Sequence, residues 1–322
     1  MQAASPHPPS PQSPIQVESI LEEFAQSLDV KPVSRRAYIK GVRRLLEWLE
    51  ANNKAYPDRR DVLEFREKLA QEGLAPLTVS CYLVAARRFF QWLEQVNLYP
   101  DITKGIRGAK CDRGFRKDAL SLRQVQHLLG SIDTDTRTGL RDYALVRLAI
   151  GTALRTIEIV RADVADLRQK EGKQILWVHG KGRDTKDEFV VIPWDVYRVV
   201  QDYLSTRPDL QDTSPLFASE GNRSRGERLC TTTVSKVIKR RLRAAGLDSK
   251  MLTAHSLRHT GVTLALIAGA SLQQTKAMAR HSDINTTLRY AHNLERVEDA
   301  PEERISILLA GRDRSNGRTA SV

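Results

Sequence analysis

Apolar residues recur at helical spacing through the first hundred positions. Ile20, Leu21, Phe24 and Leu28 form one stripe, and Tyr38, Val42, Leu45, Leu46 and Leu49 form the next. A third, Val62, Phe65 and Leu69, runs out at Gly73; a fourth, Val79, Leu83, Ala86, Phe90 and Leu93, begins near Leu77 and stops near Asn97. Spacings of three and four put each set on one helix face, and nothing in this region alternates as a strand would. The pattern predicts four helices around a shared apolar core.

After residue 118 the pattern becomes mixed. Ser121 stands as an N-cap before Leu122, Val125, Leu128 and Leu129, and residues 143–153 read as a buried helix ending near Arg155. Two β-rich runs, 174–178 and 188–192, bracket a polar turn at 180–187 and predict an antiparallel hairpin. Helical spacing then returns at 196–204, 233–245, 256–267 and 272–278. The expected fold is mainly α: a four-helix unit, then a mostly helical unit with a small antiparallel β-sheet (α+β).

Between the two patterns, residues 104–117 hold three glycines and six basic residues with little apolar periodicity, as an exposed linker does. The expected organisation is a disordered Pro/Ser-rich segment at 1–15, a helical domain at 16–105, a basic linker at 106–117, a larger domain at 118–310 and a polar tail at 311–322. With 322 residues and an apolar fraction of 41%, the chain supplies two buried cores.

Charge adds a direction. Lys and Arg outnumber Asp and Glu by 51 to 39, a net charge of +12 that favours a polyanionic partner. Arg35, Arg36, Lys40, Arg43 and Arg44 cluster on the second predicted helix, and Arg87 and Arg88 on the fourth. A solvated helix face explains any one such run. Their repetition in a unit without catalytic candidates points to contacts with DNA phosphates. Cys81, Cys111 and Cys230 are too few and too scattered for a disulfide framework or a paired-thiol zinc site, which fits a reducing, cytoplasmic compartment. No apolar run reaches the roughly 18 residues that cross a bilayer, and residues 3–14 lack the apolar core of a secretory signal, so no membrane association is expected.

The chemistry gathers in the second unit. His255-Ser256-Leu257-Arg258 is followed by Arg280-His281 and, nine residues after His281, by Tyr290; upstream stand Arg155, with Glu158 three residues on, and Lys181 in the hairpin turn. Cutting a phosphodiester with a side-chain oxygen needs a nucleophile, neutralisation of developing charge, a proton acceptor and a proton for the leaving oxygen. Tyr290 suits the first role. Arg155 and Arg258, planar and permanently charged, suit phosphate oxygens. His255 shares a helix face with Arg258 and suits proton acceptance or a phosphate hydrogen bond; His281 suits a second such bond, and Lys181 suits protonation of the 5′-oxygen. Glu158 is expected to fix an arginine. His255 and His259 at i, i+4 also allow a zinc helix, but Ser256 stands where a metalloprotease carries glutamate, so no metal is expected.

This ordered set resembles the active site of the tyrosine recombinases, the phage-integrase and Xer type of DNA strand-exchange enzyme. The resemblance runs over nearly the whole chain. It implies a SAM-like core-binding domain ahead of a catalytic domain, with Arg155, Lys181, His255, Arg258, His281 and Tyr290 as active-site residues. It also implies a 3′-phosphotyrosyl intermediate, no metal or nucleotide cofactor, and a homo-tetramer on two double-stranded DNA sites that exchanges strands through a Holliday junction. The apolar segment Ile305 to Leu309 would either pack on its own domain or, as C-terminal helices do in this family, dock in a neighbouring protomer. Two residues depart from expectation: Ala279-Arg280-His281 replaces the family's usual Leu-Gly-His, leaving Arg280 either strained in a left-handed turn or available to a phosphate, and Gly261 interrupts a helix. A type IB topoisomerase or telomere resolvase would share the chemistry, and a non-catalytic DNA-binding regulator would share the fold.

Overall fold

The computed structural model describes residues 14–109, 118–180, 185–221, 224–298 and 305–309, with side chains from 17 onward and excluding those of 292–298. The chain divides into two compact units, 1–114 and 115–322. The N-terminal unit contains α1 (Pro14–Ser27), α2 (Pro32–Ala51), α3 (Arg59–Gln71) and α4 (Pro76–Gln95). Proline in the first turn opens α2 and α4, where its missing N–H goes unused, and Asp58 caps α3 through the N–H groups of Arg60 and Asp61. The four predicted stripes meet in one core: Leu21 and Phe24 from α1, Val42 and Leu45 from α2, Phe65 and Leu69 from α3, Leu83 and Phe90 from α4.

The larger unit begins with α5 (Leu122–Gly130), capped by Ser121 as its sequence indicates, and α6 (Arg137–Thr152). Then come the short α7 (Thr156–Arg161), strands β1 (Leu167–Lys170), β2 (Lys173–His179) and β3 (Lys186–Val191), and helices α8 (Trp194–Ser205) and α9 (Thr231–Ala244). Three further helices follow, α10 (Ala254–Ile267), α11 (Leu272–Ala279) and α12 (Ile284–Glu298). The strands form an antiparallel sheet in the order β1-β2-β3. Leu176, Val178, Val190 and Ile192 join Leu145, Leu148 and Val200 in the core beneath it. The fold is thus mainly α with a small antiparallel sheet, as the sequence pattern predicts. The sheet has one strand more than the predicted hairpin: β1 joins β2 through Glu171 and Gly172, both at positive φ (49° and 74°), the backbone of a tight primed turn. Among the described residues no helix is long and apolar enough to cross a membrane.

Gly261, an oddity in the sequence, has a packing reason. A Cβ at this position of α10 would lie 2.3 Å from the carbonyl oxygen of Ile150 on α6. Glycine lets the two helices approach closely enough for Arg258, one turn earlier on α10, to reach the end of α6.

Candidate active site

Arg258 is the centre of the site. It is only 3% exposed, and its guanidinium donates to the carbonyls of Ala153 and Ala279, at the C-terminal ends of α6 and α11. Helix C-termini carry partial negative charge, so two of them converge on one cation. Each end is turned by a residue in the left-handed conformation, Ala153 (φ 49°) after α6 and Arg280 (φ 53°) after α11. Burial, and then repulsion from Arg155, push the Arg258 pKa down to about 10, which still leaves it charged at neutral pH.

Arg155 caps α7 and is held from three directions. Its backbone N–H donates to Glu158 Oε2 at 2.7 Å, its guanidinium donates to Glu158 Oε1 at 2.8 Å, and its other terminal nitrogen donates to the Arg280 carbonyl at 3.0 Å. Glu158 is wholly buried and also accepts from the Arg280 guanidinium at 2.6 Å. Burial opposes its ionisation most strongly, but the Arg280 charge and the Arg155 bonds outweigh that and hold Glu158 below the usual carboxylate range. Glu158 thus bonds to two arginines, Arg155 and Arg280. Arg280 adopts the left-handed turn at a cost of about 1 kcal/mol for a residue with a Cβ. The backbone N–H groups of Arg280 and His281 bond back to Ala277 and Lys276 at 3.1 Å each, a Schellman closure. The Arg280 side chain is 4% exposed and paired with Glu158, so of the two expected readings the geometry gives the strained turn and not the phosphate-facing arginine.

Tyr290, on α12, packs into the same cluster with 5% exposure, and its hydroxyl bonds to His259 Nδ1. Its ring stacks over His281 with centroids 6.3 Å apart. Burial pushes the Tyr290 pKa up to about 12, with Arg258 opposing. His281 Nδ1 is 2.9 Å from the Thr287 hydroxyl on α12, which fixes the ring. Burial and neighbouring cations push both His259 and His281 down to about 4, so both rings are neutral at physiological pH. His255 stands exposed in the first turn of α10 with its ring edge-on to His259 at 4.6 Å; partial desolvation and the charges of Arg258 and Arg155 lower its pKa as well. Five of the six catalytic candidates therefore lie in one cluster. His259, read from sequence only as half of a zinc pair, is the histidine that touches Tyr290; its i, i+4 position below His255 was the available signal.

Lys181 lies outside the described residues, but the base of its hairpin is well held. Arg161 donates to the Gly180 carbonyl at 3.4 Å, and Lys186 bonds to Asp163 at 2.6 Å and Asp166 at 2.7 Å. Lys186 is committed to those carboxylates. In the N-terminal unit, Arg36, Lys40, Arg43 and Arg44 line one groove with Ile39, Glu47 and Tyr82. Arg43 pairs with Glu18 and Arg44 with Glu72, while Arg35 bonds to the Leu28 carbonyl at 3.1 Å, Arg87 is half-buried and Arg88 is exposed. Residues 305–309 form a helical stretch whose apolar side chains are 56–72% exposed.

Residues 119–296 match the phage integrase family, and residues 21–97 match the phage integrase N-terminal SAM-like domain. A tyrosine recombinase of Synechococcus elongatus is 26% identical over 311 residues, covering 92% of this chain and 96% of the relative. Tyrosine recombinase XerD of Listeria monocytogenes is 30% identical over 239 residues, 73% of this chain and 78% of the relative. Among solved structures, the XerH site-specific recombinase bound to a palindromic difH substrate superposes with a TM-score of 0.69 at 21% identity, over 90% of this chain and 85% of that one. A lambda integrase dimer bound to a core site gives 0.63 at 16% identity, over 84% and 96%. These two structures share the fold.

Proposed function

Because the chain belongs to the phage integrase family of tyrosine recombinases, we propose that it is a site-specific recombinase that cuts and rejoins double-stranded DNA in the cytoplasm through a 3′-phosphotyrosyl link. The observation that carries this reading is the Tyr290 hydroxyl bonded to His259 beside the buried guanidinium of Arg258. Arg155 and Arg258 would clasp the non-bridging oxygens of the scissile phosphate. The Thr287 hydroxyl, donating to His281 Nδ1, would leave the His281 proton on Nε2 for a phosphate oxygen, and exposed His255 would offer another hydrogen bond. As Tyr290 Oη bonds to phosphorus, its proton passes to His259 Nδ1; the P–O5′ bond breaks and the 5′-oxygen takes a proton from Lys181. Rejoining runs the same steps backwards. The phosphotyrosyl ester keeps the bond energy, so neither ATP nor a metal enters the scheme.

On this reading four protomers on two DNA sites exchange strands in two pairs through a Holliday junction. The groove of Arg36, Lys40, Arg43 and Arg44, with Arg35 on the same helix and Arg87 and Arg88 on α4, would grip backbone phosphates without reading bases. Segment 305–309 would seat its apolar residues in a neighbouring protomer. The direct test is a nicked suicide duplex taken from DNA flanking the gene: the wild-type chain is expected to form a covalent adduct, and Tyr290→Phe to bind the duplex with wild-type affinity and form none. An adduct with Tyr290→Phe would remove Tyr290 from the nucleophile role.

A further inference from the structure

Arg280 occupies a position that disfavours it on three counts. Its backbone is in the left-handed region, its side chain is 4% exposed, and its Nε is buried with no hydrogen-bond partner among the described residues. Against these stand two contacts, the 2.6 Å ion pair with the wholly buried Glu158 and a 2.8 Å bond donated to the Met278 carbonyl. Glu158 is also the residue that pins Arg155 through both of its oxygens.

We propose that Arg280 is a positioning residue that keeps Glu158 compensated, so that Arg155 can turn its guanidinium from Glu158 to a scissile phosphate. The proposal rests on the strand-transfer reading above. Without Arg280, Arg155 would be the partner left to a carboxylate buried among apolar and cationic neighbours. Rotating Arg155 toward a phosphate would then strand that carboxylate, a cost that falls on the reaction. With Arg280 present, Glu158 keeps a charge-assisted bond while Arg155 moves. The charges balance as well. Arg155, Arg258 and Arg280 against Glu158 leave three positive charges less one negative, a net of two. A phosphodiester carries one negative charge and the five-coordinate state formed by tyrosine attack carries two. These fixed charges, together with the proton that His259 takes up, therefore favour the five-coordinate state over the bound substrate.

Arg280 donates to no group that reacts, so its loss should separate binding from chemistry. Arg280→Gly and Arg280→Asn both suit the left-handed turn and remove the charge; Arg280→Lys keeps the charge. The probe is the nicked duplex from DNA flanking the gene, with affinity read by mobility shift and adduct formation read in single turnover. Arg280→Gly and Arg280→Asn are expected to hold DNA affinity within about twofold and to slow adduct formation about 10- to 100-fold. Arg280→Lys should restore most of the rate. Adding Glu158→Gln to Arg280→Gly, which removes the stranded charge, should slow the reaction no further. Wild-type adduct rates in both Arg280→Gly and Arg280→Asn would overturn the inference alone. Failure of the wild-type chain to form any adduct would overturn the strand-transfer reading itself and this inference with it.

Discussion

His259 and His281 are buried beside Arg258, and each holds a proton far less readily than a free imidazole, with pKa values near 4. The folded chain therefore binds fewer protons at these rings than the unfolded chain, whose histidines titrate near 6.5. Their contribution to stability is complete above about pH 6.5 and is lost as the pH falls toward 4, on the order of 2–3 kcal/mol for each ring. Chemical denaturation at pH 7, 6, 5 and 4 should show the midpoint falling across that window. A His259→Gln/His281→Gln variant should show a distinctly flatter fall, and an equal slope would mean that neither ring is buried neutral. These same residues show how far local sequence encodes the site. Arg155, Arg258, His255, His281 and Tyr290 stand in short motifs whose chemistry is legible locally. The bond from Tyr290 to His259 spans 31 positions and the pair from Arg280 to Glu158 spans 122, and no local pattern encodes a partner at that distance.

At the scale of elements, the close crossing of α6 and α10 positions the site. Gly261→Ala would place a methyl carbon 2.3 Å from the Ile150 carbonyl, a backbone atom that cannot swing aside. The expected cost is about 2–3 kcal/mol, seen as a drop of several degrees in Tm. Adduct formation should slow as well, because Ile150 lies three residues before Ala153, whose carbonyl holds Arg258. An unchanged Tm would show that the two helices have slack. The long amphipathic helices were readable because each buries one continuous stripe. Three shorter or more polar elements were not. β1, Leu-Arg-Gln-Lys, has no apolar alternation and exists because β2 supplies its hydrogen bonds. α7 has only six residues, several of them β-branched; its start is set by Glu158 reaching back to the Arg155 N–H. α12, which carries Tyr290, shows its chemistry in the sequence more plainly than its periodicity.

Across the whole molecule, the proposed reading gives the +12 charge and the exposed apolar stretch at 305–309 different uses. The charge favours a single chain on DNA, whereas large exposed apolar side chains at a terminus favour a protein neighbour. Ending the chain after Glu303 should therefore leave binding to one site intact and abolish recombination between two; equal loss of both would tie the segment to its own fold. Tyr290 reaches its partners within one polypeptide and from a place nearly closed to water. On the proposed reading the ester formed there would be sheltered too. Hydrolysis would then lose the competition to the returning sugar hydroxyl, and a strand once opened would be resealed instead of left as a break.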